Sequence, residues 1–379
     1  MDTIEKLRAL SRDSRFDLAC ACGGSPEEHR KRGPEGRWLY PVALPGGGYT
    51  VLLKTLLSNA CSNDCKYCPL RELNDFRRCT LSPEEVAGAF IEYLRRRMAF
   101  GVFLSSSVMG NPDFTMERIN GAARILRRKY GFKGYIHLKV IPGASGAAIE
   151  ECLSLASAAS LNIETPGEAH FACLSRKKDF KSDIMRPLEL MGRLAGRGAR
   201  FSRVKLTSQF IVGAAGETDR EIIAWMHRLY GEMNLRRVYF SAYQKGTGAA
   251  DIPGELRPMT DLGGRRGPGD VFLREHRLYQ ADFLARKYGF GKDEMVFGPD
   301  GNLLLDKDPK TAWADAHPEF YPVRLNVSAR EELLRVPGLG PETVKRILAA
   351  RREGKIRRLE DLGLKGKRLQ KAREYLVCE

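Results

Sequence analysis

Apolar positions along most of the chain follow two alternating periods. Strand-like apolar runs occur at 49–57, 101–106, 135–140, 161–164, 204–212 and 237–242. Between and after them, apolar residues recur with helical spacing at about 82–98, 116–130, 146–156, 167–174, 183–195 and 217–230. Six strand–helix repeats are too few for a closed eight-stranded barrel. The pattern therefore predicts an α/β fold built on a partial, open (βα)6 TIM-like barrel.

The flanking segments follow other patterns. Residues 3–19 are predicted as an amphipathic helix, and residues 246–270, rich in Gly and Pro, as a loop. A helix is predicted at about 271–287 and an irregular stretch at 300–324. We therefore predict four parts: an N-terminal helical segment at 1–47, the partial barrel at 48–245, a linker or accessory region at 246–325, and a small all-α domain at 326–379.

Three of the nine cysteines lie in one short loop. Cys61, Cys65 and Cys68 have the spacing C-x3-C-x2-C just after the first barrel strand, where α/β folds place their chemistry. Three thiolates converging on one centre suit a [4Fe-4S] cluster with one iron left open for a small molecule. The alternative is a zinc site with Cys20 or Cys22 as fourth ligand, although the paired C-x2-C units usual in zinc sites are missing from the sequence.

Composition points to a polyanionic partner. The net charge is +16 and the pI about 9.5, and nucleic acid is the commonest partner of such a protein, although a generally basic surface is the alternative. The clustered cysteines argue against a disulfide framework. The chain opens without the apolar region of a signal peptide and has no apolar run of membrane-spanning length, so we expect no membrane partner and a reduced, cytoplasmic protein.

Polar residues mark the ends of several predicted strands. Lys139 and Glu164 stand within apolar runs, where burial without a partner is costly, so each has a cofactor or substrate role, pairs with the other, or marks an exposed strand end. Cys173 and Tyr243 are candidates for a hydrogen-atom relay, or simply pack. The other strand-end candidates are Ser105, Ser106, Ser107, Ser208 and Gln209.

The segment 333–348 resembles a helix-hairpin-helix motif. Glycines in its turn keep backbone N–H groups open, and Pro341 begins the second helix, which together make a phosphate site. Residues 330–379 hold fourteen Lys and Arg against eight Asp and Glu. The motif predicts contacts to the DNA backbone, with a protein–protein module as the alternative. The residues concerned are Gly338, Gly340, Thr343, Lys345 and Arg346.

The cysteine motif, with Tyr67 before its last cysteine, resembles the signature of the radical SAM enzymes. That resemblance implies a [4Fe-4S] cluster whose fourth iron is chelated by S-adenosylmethionine, and one-electron cleavage to a 5′-deoxyadenosyl radical. It implies cofactor contacts at Tyr67 and at the strand-end polar residues. The turn at 211–218, with Val212 and Gly213, looks like the glycine-containing turn that cradles adenine in this superfamily; an ordinary tight turn is the alternative.

Nearly the whole chain resembles a family of prokaryotic radical SAM proteins associated with DNA modification or repair. The family is similar to a genomic companion of uracil-DNA-glycosylase-like proteins, so such a partner is implied, as is an electron donor such as flavodoxin or ferredoxin. An RNA-modifying enzyme and a non-catalytic iron–sulfur DNA-binding protein or redox sensor remain alternatives. Besides the cysteines, the resemblance rests on 104–113, 135–139, 162–164, 273–280 and 337–340.

Overall fold

The computed structural model describes residues 1–14, 38–44, 47–256, 270–363 and 366–379. The predicted end of the first helix, Cys20, Cys22 and most of the predicted loop at 246–270 lie outside these residues. Two compact units are distinguished: Met1–Glu217 with Arg228–Val271, and Thr218–His227 with Phe272–Glu379. Within the described ranges, no helix is both long enough and apolar enough to cross a membrane.

The first unit is built on a seven-stranded sheet. Its order follows the chain from β1 to β7; β1 pairs with β2 antiparallel, and β2 to β7 are parallel. With β1 and β7 at its edges, the sheet is an open half-barrel, which confirms the predicted fold class. The strands are β1 Leu39–Ala43, β2 Tyr49–Leu56, β3 Gly101–Ser105, β4 Tyr135–Lys139, β5 Ala158–Ser160, β6 Lys205–Val212 and β7 Arg237–Ala242.

Helices follow the strands as the apolar periodicity predicts. Ser82 and Glu85 form a reciprocal capping box around Pro83, which fixes the start of α2. Three helices lead into or out of a π-helical turn, at Ile125–Lys129, Phe180–Met185 and Leu284–Tyr288. The helices up to residue 283 are α1 Thr3–Asp13, α2 Pro83–Arg95, α3 Pro112–Arg124, α4 Gly146–Leu155, α5 Glu168–Ala172, α6 Arg186–Ala195, α7 Asp219–Glu232, α8 Pro253–Leu256 and α9 Asp270–Phe283. The first part of α7 and nearly all of α9 belong to the second unit.

The fourth barrel strand lies earlier in the chain than its apolar pattern predicts. The pattern favours 161–164, but β5 is Ala158–Ser160, which pairs with β4 on one side and β6 on the other. Residues 161–164 also form hydrogen bonds to β6. The regular pairing is interrupted there, because Glu164 has a left-handed backbone, with φ 66°. Pairing with two neighbours thus overrides the weak strand propensity of two alanines and a serine.

The second unit is mainly helical. The stretch at 300–324, predicted to be irregular, contains α10, which Asp308 caps ahead of Pro309. A two-residue parallel pair, β8 Val323–Arg324 with β9 Leu376–Val377, accompanies the predicted all-α arrangement. The remaining helices are α10 Pro309–Ala316, α11 Arg330–Arg335, α12 Pro341–Glu353 and α13 Gly366–Arg373, with 3-10 turns at Lys292–Glu294, Pro318–Phe320 and Leu359–Leu362.

Candidate active site

The cysteine loop leaves the carboxyl end of β2 and is held by a single arginine. The Arg78 guanidinium donates hydrogen bonds of 2.5 to 3.4 Å to five backbone carbonyl groups and stacks 3.7 Å above the Phe76 ring. The five carbonyls belong to Asn59, Leu70, Arg71, Glu72 and Asn74. One side chain therefore bridges both ends of the loop that carries Cys61, Cys65 and Cys68.

The segment after α5 fastens the other side of the loop. The Asp64 carboxylate accepts hydrogen bonds from the Ser175 hydroxyl at 2.5 Å and from the Arg176 amide at 2.9 Å. Although burial alone raises the pKa of Asp64, these hydrogen bonds lower it below its ordinary value. Lys66 donates its backbone N–H to the Leu174 carbonyl at 2.8 Å. The segment 174–178 is thus bound to the cysteine loop.

The three thiols lie close enough to interact electrostatically. Burial, reinforced by the neighbouring thiols, raises the pKa of Cys65 and raises that of Cys68 to about 12. Lys178 opposes this effect, because its positive charge favours the thiolate form of Cys65 and so lowers the pKa. Buried thiols with raised pKa values deprotonate only when a metal replaces the proton, and a nearby ammonium group favours the thiolate.

The donor set is of the kind that holds an iron–sulfur cluster. Three thiols from one loop, one of them beside the charge of the Lys178 ammonium group, are the residues that would hold a [4Fe-4S] cluster. Among the described residues, no three His, Cys, Asp or Glu side chains are arranged to share one metal ion. The zinc alternative rests on Cys20 or Cys22, which lie outside the described residues.

A buried carboxylate lies beside the thiols. Glu164 is 6% exposed, and its pKa is raised by burial, although Lys139 and Lys178 lower it by their charge. It accepts a hydrogen bond from the Asn162 amide at 3.5 Å. Burial and the Glu164 charge raise the pKa of Tyr67 well above its ordinary value. The charges of Lys139 and Glu164 interact, and a cofactor or substrate role for these two residues stays a prediction.

A left-handed backbone at a non-glycine residue costs about 1–3 kcal/mol and is concentrated at functional sites. Glu164 adopts this conformation while its backbone N–H donates to the Gln209 carbonyl at 3.0 Å and its own carbonyl accepts from Ile211 at 2.8 Å. The bonds to β6 hold the strained residue in place. Its carboxylate is therefore fixed at the edge of the sheet where the strands end.

The serines and Gln209 take mostly structural positions. The Ser106 hydroxyl donates to the Ser107 carbonyl at 2.7 Å, and the Ser107 amide donates to the Ser58 carbonyl at 3.0 Å. Ser105 and Gln209 are buried. The buried Ser208 hydroxyl accepts from the Ile163 amide at 3.0 Å. The three serines lie at the carboxyl end of β3, whereas Ser208 and Gln209 lie in the middle of β6, and their role as cofactor contacts stays a prediction.

The glycine-containing turn after β6 is closed by its own glutamate. Gly213 has φ 91°, and its amide donates to the Glu217 carboxylate, which also accepts from the Ala215 amide at 3.0 Å. Two amides of the turn are thus already bonded within the chain. The geometry matches the alternative of a tight turn, and the predicted contacts of Val212 and Gly213 to adenine stay a prediction.

The two relay candidates differ in position. Cys173 is exposed, with its thiol 3.6 Å from the Ala169 carbonyl. Tyr243 is buried and donates its hydroxyl to Glu255 at 2.5 Å; burial and this neighbour raise its pKa to about 12. Of the two, only Tyr243 lies in an apolar cluster against which Tyr67 of the cysteine loop packs.

A cavity of about 570 Å³ opens beside the cysteine loop. Cys61 and Ser62 form one wall, and the stretch 108–111 after β3 forms another. Phe114 and Arg118 of α3 also line it, with the Phe114 side chain half exposed. The cavity places one of the three thiols next to space large enough for a small molecule.

In the second unit, α11 and α12 are joined by a tight turn. Gly338 has φ 86°, and a Cβ there would lie 2.6 Å from the Arg368 carbonyl, so only glycine fits. Gly340 precedes the first turn of α12 as its N-cap. Lys345 and Arg346 are exposed on α12, whereas Thr343 is buried. The predicted hairpin glycines and cations therefore belong to one segment, which consists of α11, the tight turn and α12.

The sequence analysis missed two site residues: Arg78 and Lys178. Both are charged residues in a polar stretch, which usually indicates a solvated surface. Lys178 follows two other basic residues. The one directly before it, Lys177, is exposed and ion-paired with Glu72. The sequence signal available was the position of each residue just before or after a predicted strand or helix.

Comparisons with solved structures give distant fold similarities. No protein-family model matches the chain, and no curated protein sequence matches it. Methylornithine synthase (PylB) is 15% identical with a TM-score of 0.45, the alignment covering 62% of each chain. The FeFe-hydrogenase maturase HydG from Carboxydothermus hydrogenoformans is 16% identical with a TM-score of 0.43, over 61% of this chain and 51% of HydG. Streptococcus suis SuiB bound to S-adenosylmethionine is 13% identical with a TM-score of 0.44, over 66% and 57%.

Proposed function

We propose that the protein is a radical SAM enzyme that acts on DNA, in base modification or repair. The observation that carries the first part is the set of three thiols on one loop at the carboxyl end of β2 in an open parallel half-barrel. Cys61, Cys65 and Cys68 hold the [4Fe-4S] cluster. When bound with S-adenosylmethionine, such a cluster supplies one electron that cleaves the sulfonium to methionine and a 5′-deoxyadenosyl radical.

The chain's own residues bind and shield that chemistry. Arg78 and the segment 174–178 keep the cysteine loop closed around its thiols. The buried Glu164 and the partly buried Lys139 offer charges of opposite sign, which suit the amino and carboxylate groups of an amino-acid cofactor. The half-buried Tyr67 covers the carboxylate from the loop side.

The DNA part of the proposal is supported by charge and by the hairpin. A net charge of +16, with Lys345 and Arg346 exposed on α12 behind a glycine turn, suits contacts to the phosphate backbone. Contacts of this kind position a protein without reading sequence, and the base to be altered is flipped out of the stack. We also infer an electron donor such as flavodoxin or ferredoxin; the glycosylase-like partner and cytoplasmic location stay predictions.

The test is formation of 5′-deoxyadenosine by anaerobically reconstituted protein with dithionite and S-adenosylmethionine. We expect product, and more of it with duplex DNA than with structured RNA or no nucleic acid. A larger stimulation by RNA favours the RNA-modifying alternative. No product under any condition, from protein that holds its cluster, contradicts the radical reaction and favours a structural or redox-sensing cluster.

The matched variants are Cys65→Ala and Cys378→Ala. Removal of a buried cluster ligand is expected to abolish product and to lower the bound iron, whereas removal of the free Cys378 thiol, which belongs to the second unit, leaves both unchanged. Product formation by Cys65→Ala at the wild-type rate would rule out the assigned ligands.

A further inference from the structure

The two faces of β3 and β4 carry different kinds of side chain. One face is apolar and fully buried, and is formed by Val102, Leu104, Ile136 and Leu138. The residues that alternate with them, Phe103 and His137, lie on the opposite face and are partly exposed. Helices cover the outside of a parallel βα barrel, so the partly exposed face is the inner one. Barrel interiors are usually filled by branched aliphatic side chains, so an accessible aromatic ring and an imidazole group there indicate a binding surface.

Polar and aromatic groups on this inner face contact one another across neighbouring strands. The Lys54 ammonium group of β2 lies 5.1 Å from the centre of the Phe103 ring and 5.5 Å from that of the Tyr40 ring of β1. The centres of the Phe103 and His137 rings are 4.3 Å apart, with an angle of 36° between the two planes. The His137 Nε2 atom is 2.9 Å from the Ser160 hydroxyl oxygen at the end of β5. This row of side chains therefore extends from the edge strand β1 to β5.

Buried groups beside the two accessible rings hold them in place. Lys54 is 4% exposed and Ser160 is 6% exposed, whereas Phe103 and His137 between them are partly exposed. The cation beside the Phe103 ring and the hydroxyl group beside the imidazole restrict the rotation of these two side chains. A flat apolar ring and a hydrogen-bonding ring are thus fixed side by side, and both remain accessible.

We propose that Phe103 and His137 form the floor of a pocket for one nucleobase flipped out of DNA. The inference rests on the proposed function, and it names residues that contact the substrate in that same site. A nucleobase offers a π face that stacks on an aromatic ring and an edge of hydrogen-bond donors and acceptors. Phe103 supplies the stacking surface, and His137, oriented by Ser160, supplies the polar contact to the edge.

The strand register gives the depth of this floor. His137 lies two residues before Lys139, which ends β4, and the two side chains share one face of the sheet. At a rise of about 3.3 Å per residue, the floor is about 6.6 Å below the carboxyl edge of the sheet. A base that rests on the floor therefore extends toward the edge from which the cysteine loop leaves β2.

The experiment is photo-crosslinking of the full-length protein, reconstituted with its cluster and kept with S-adenosylmethionine but without reductant. Four duplexes of the same mixed sequence each carry one photoreactive base: thiothymine, iodocytosine, thioguanine or azidoadenine. We expect at least one of them to form a link that mass spectrometry maps to Gly101–Ser105 or Tyr135–Lys139, because a base on the floor touches both strands. Links confined to other segments, from protein that binds the duplex, overturn the inference.

Matched variants test the stacking surface. Phe103→Leu keeps an apolar side chain without the ring, and the yield of these links is expected to fall at least about fivefold, because stacking of a base on an aromatic ring contributes at least that factor to binding. Phe103→Tyr keeps the ring and is expected to keep the yield. The control is Phe100→Leu, which removes an aromatic side chain that is 51% exposed just before β3 and is expected to show the wild-type yield.

A second variant keeps the inference testable if the first does not fold. His137→Leu removes the polar contact and is expected to lower the yield of the same links; it decides the matter if Phe103→Leu does not retain its iron. A wild-type yield in whichever of the two variants is measured overturns the inference. Stronger links to β3 and β4 from the same photoreactive bases in a structured RNA overturn DNA as the source of the base.

The results also separate this inference from the proposed function. If the loaded wild-type protein binds no duplex, or forms no 5′-deoxyadenosine when reductant is added, the proposed function fails. If it binds the duplex and DNA raises product formation, but every link lies outside β3 and β4, the proposed function stands and only the floor of the pocket is lost.

Discussion

At the scale of single residues, charged side chains rather than apolar ones shape the site. Arg78 satisfies five carbonyl groups that no helix or strand could satisfy, since the loop 59–79 has little regular structure. Glu164 holds a left-handed backbone beside the thiols. Hydrogen bonds to a charged group contribute about 1.5–3 kcal/mol each, so one arginine stabilises this loop more than its few apolar contacts do.

Replacement of Arg78 by Leu is expected to open the cysteine loop. Loss of its hydrogen bonds leaves several carbonyls without a partner and costs about 2 kcal/mol or more of local stability. Hydrogen exchange of amides in 59–79, measured on the protein without its cluster, is expected to be at least tenfold faster. The neighbouring exposed Arg77→Leu is the control; equal exchange in the two variants contradicts the role of Arg78.

At the scale of elements, the hairpin between α11 and α12 is supported from beneath by a buried lysine. Lys310, 7% exposed, donates to the Leu339 carbonyl at 2.7 Å and lies 4.6 Å from the centre of the Tyr288 ring. Burial lowers the pKa of Lys310 to about 7, against an ordinary value of 10.5. The turn that contains Gly338 and Gly340 is therefore hydrogen-bonded to an amine whose pKa lies near neutral pH.

This arrangement predicts a pH-dependent stability of the second unit. Between about pH 7 and 10 the unfolded chain binds one more proton at Lys310 than the folded chain, so the free energy of unfolding rises with pH. Below pH 7 both states are protonated, so the free energy of unfolding no longer changes with pH through Lys310 and the destabilisation by this group has its full size. Urea unfolding at pH 6, 7.5 and 9 measures this change in the free energy of unfolding. Unfolding is followed by the hydrogen-exchange protection of peptides within 341–353, corrected for the intrinsic exchange rates at each pH.

Lys310→Met is expected to flatten that rise, because it removes the titrating group. Lys307→Met, at an exposed lysine paired with Asp315, is the control and is expected to preserve the rise. A rise of the same size in Lys310→Met would assign the pH dependence to another group.

At the scale of the whole molecule, the excess of 63 Lys and Arg over 47 Asp and Glu governs long-range attraction. A charge of this size draws a polyanion from solution whatever the detailed contacts are, and the attraction weakens with salt. Fourteen cations lie in residues 330–379. On the proposed function, affinity for nucleic acid is expected to follow from the charge of the whole chain and to weaken with salt, and the hairpin cations are expected to add individual phosphate contacts.

The salt dependence of duplex binding is expected to report those contacts. In fluorescence anisotropy with a duplex of mixed sequence, Lys345→Ala is expected to weaken binding and to reduce the slope of log K against log salt by about 0.9, the value for one phosphate contact. Lys307→Ala, whose ammonium group is paired with Asp315, is expected to keep the wild-type slope. An unchanged slope in Lys345→Ala would remove that residue from the DNA interface.

Most elements of the barrel are predictable because local patterns and tertiary pairing agree there. Ser82, Pro83 and Glu85 define the start of α2 from three letters of sequence. The prediction is wrong where long-range pairing decides: β5 is Ala158–Ser160 rather than 161–164, because β4 and β6 select three small buried residues. It is also wrong at 309–316, where the prolines suggested irregular structure although Pro309 begins a helix.

The sequence alone determined the strand–helix alternation, the spacing of Cys61, Cys65 and Cys68, and the excess of positive charge, because these depend on the order of residues and on local preferences. Only the tertiary structure decided which charges meet the thiols. Lys139 ends β4, Glu164 lies in the connection after β5, and Lys178 follows α5. Parallel strands bring their ends and the connections that follow them to one edge of the sheet. Neighbours separated by more than a hundred residues, such as Cys65 and Lys178, leave no local pattern, so their charges become informative only after the sheet has assembled.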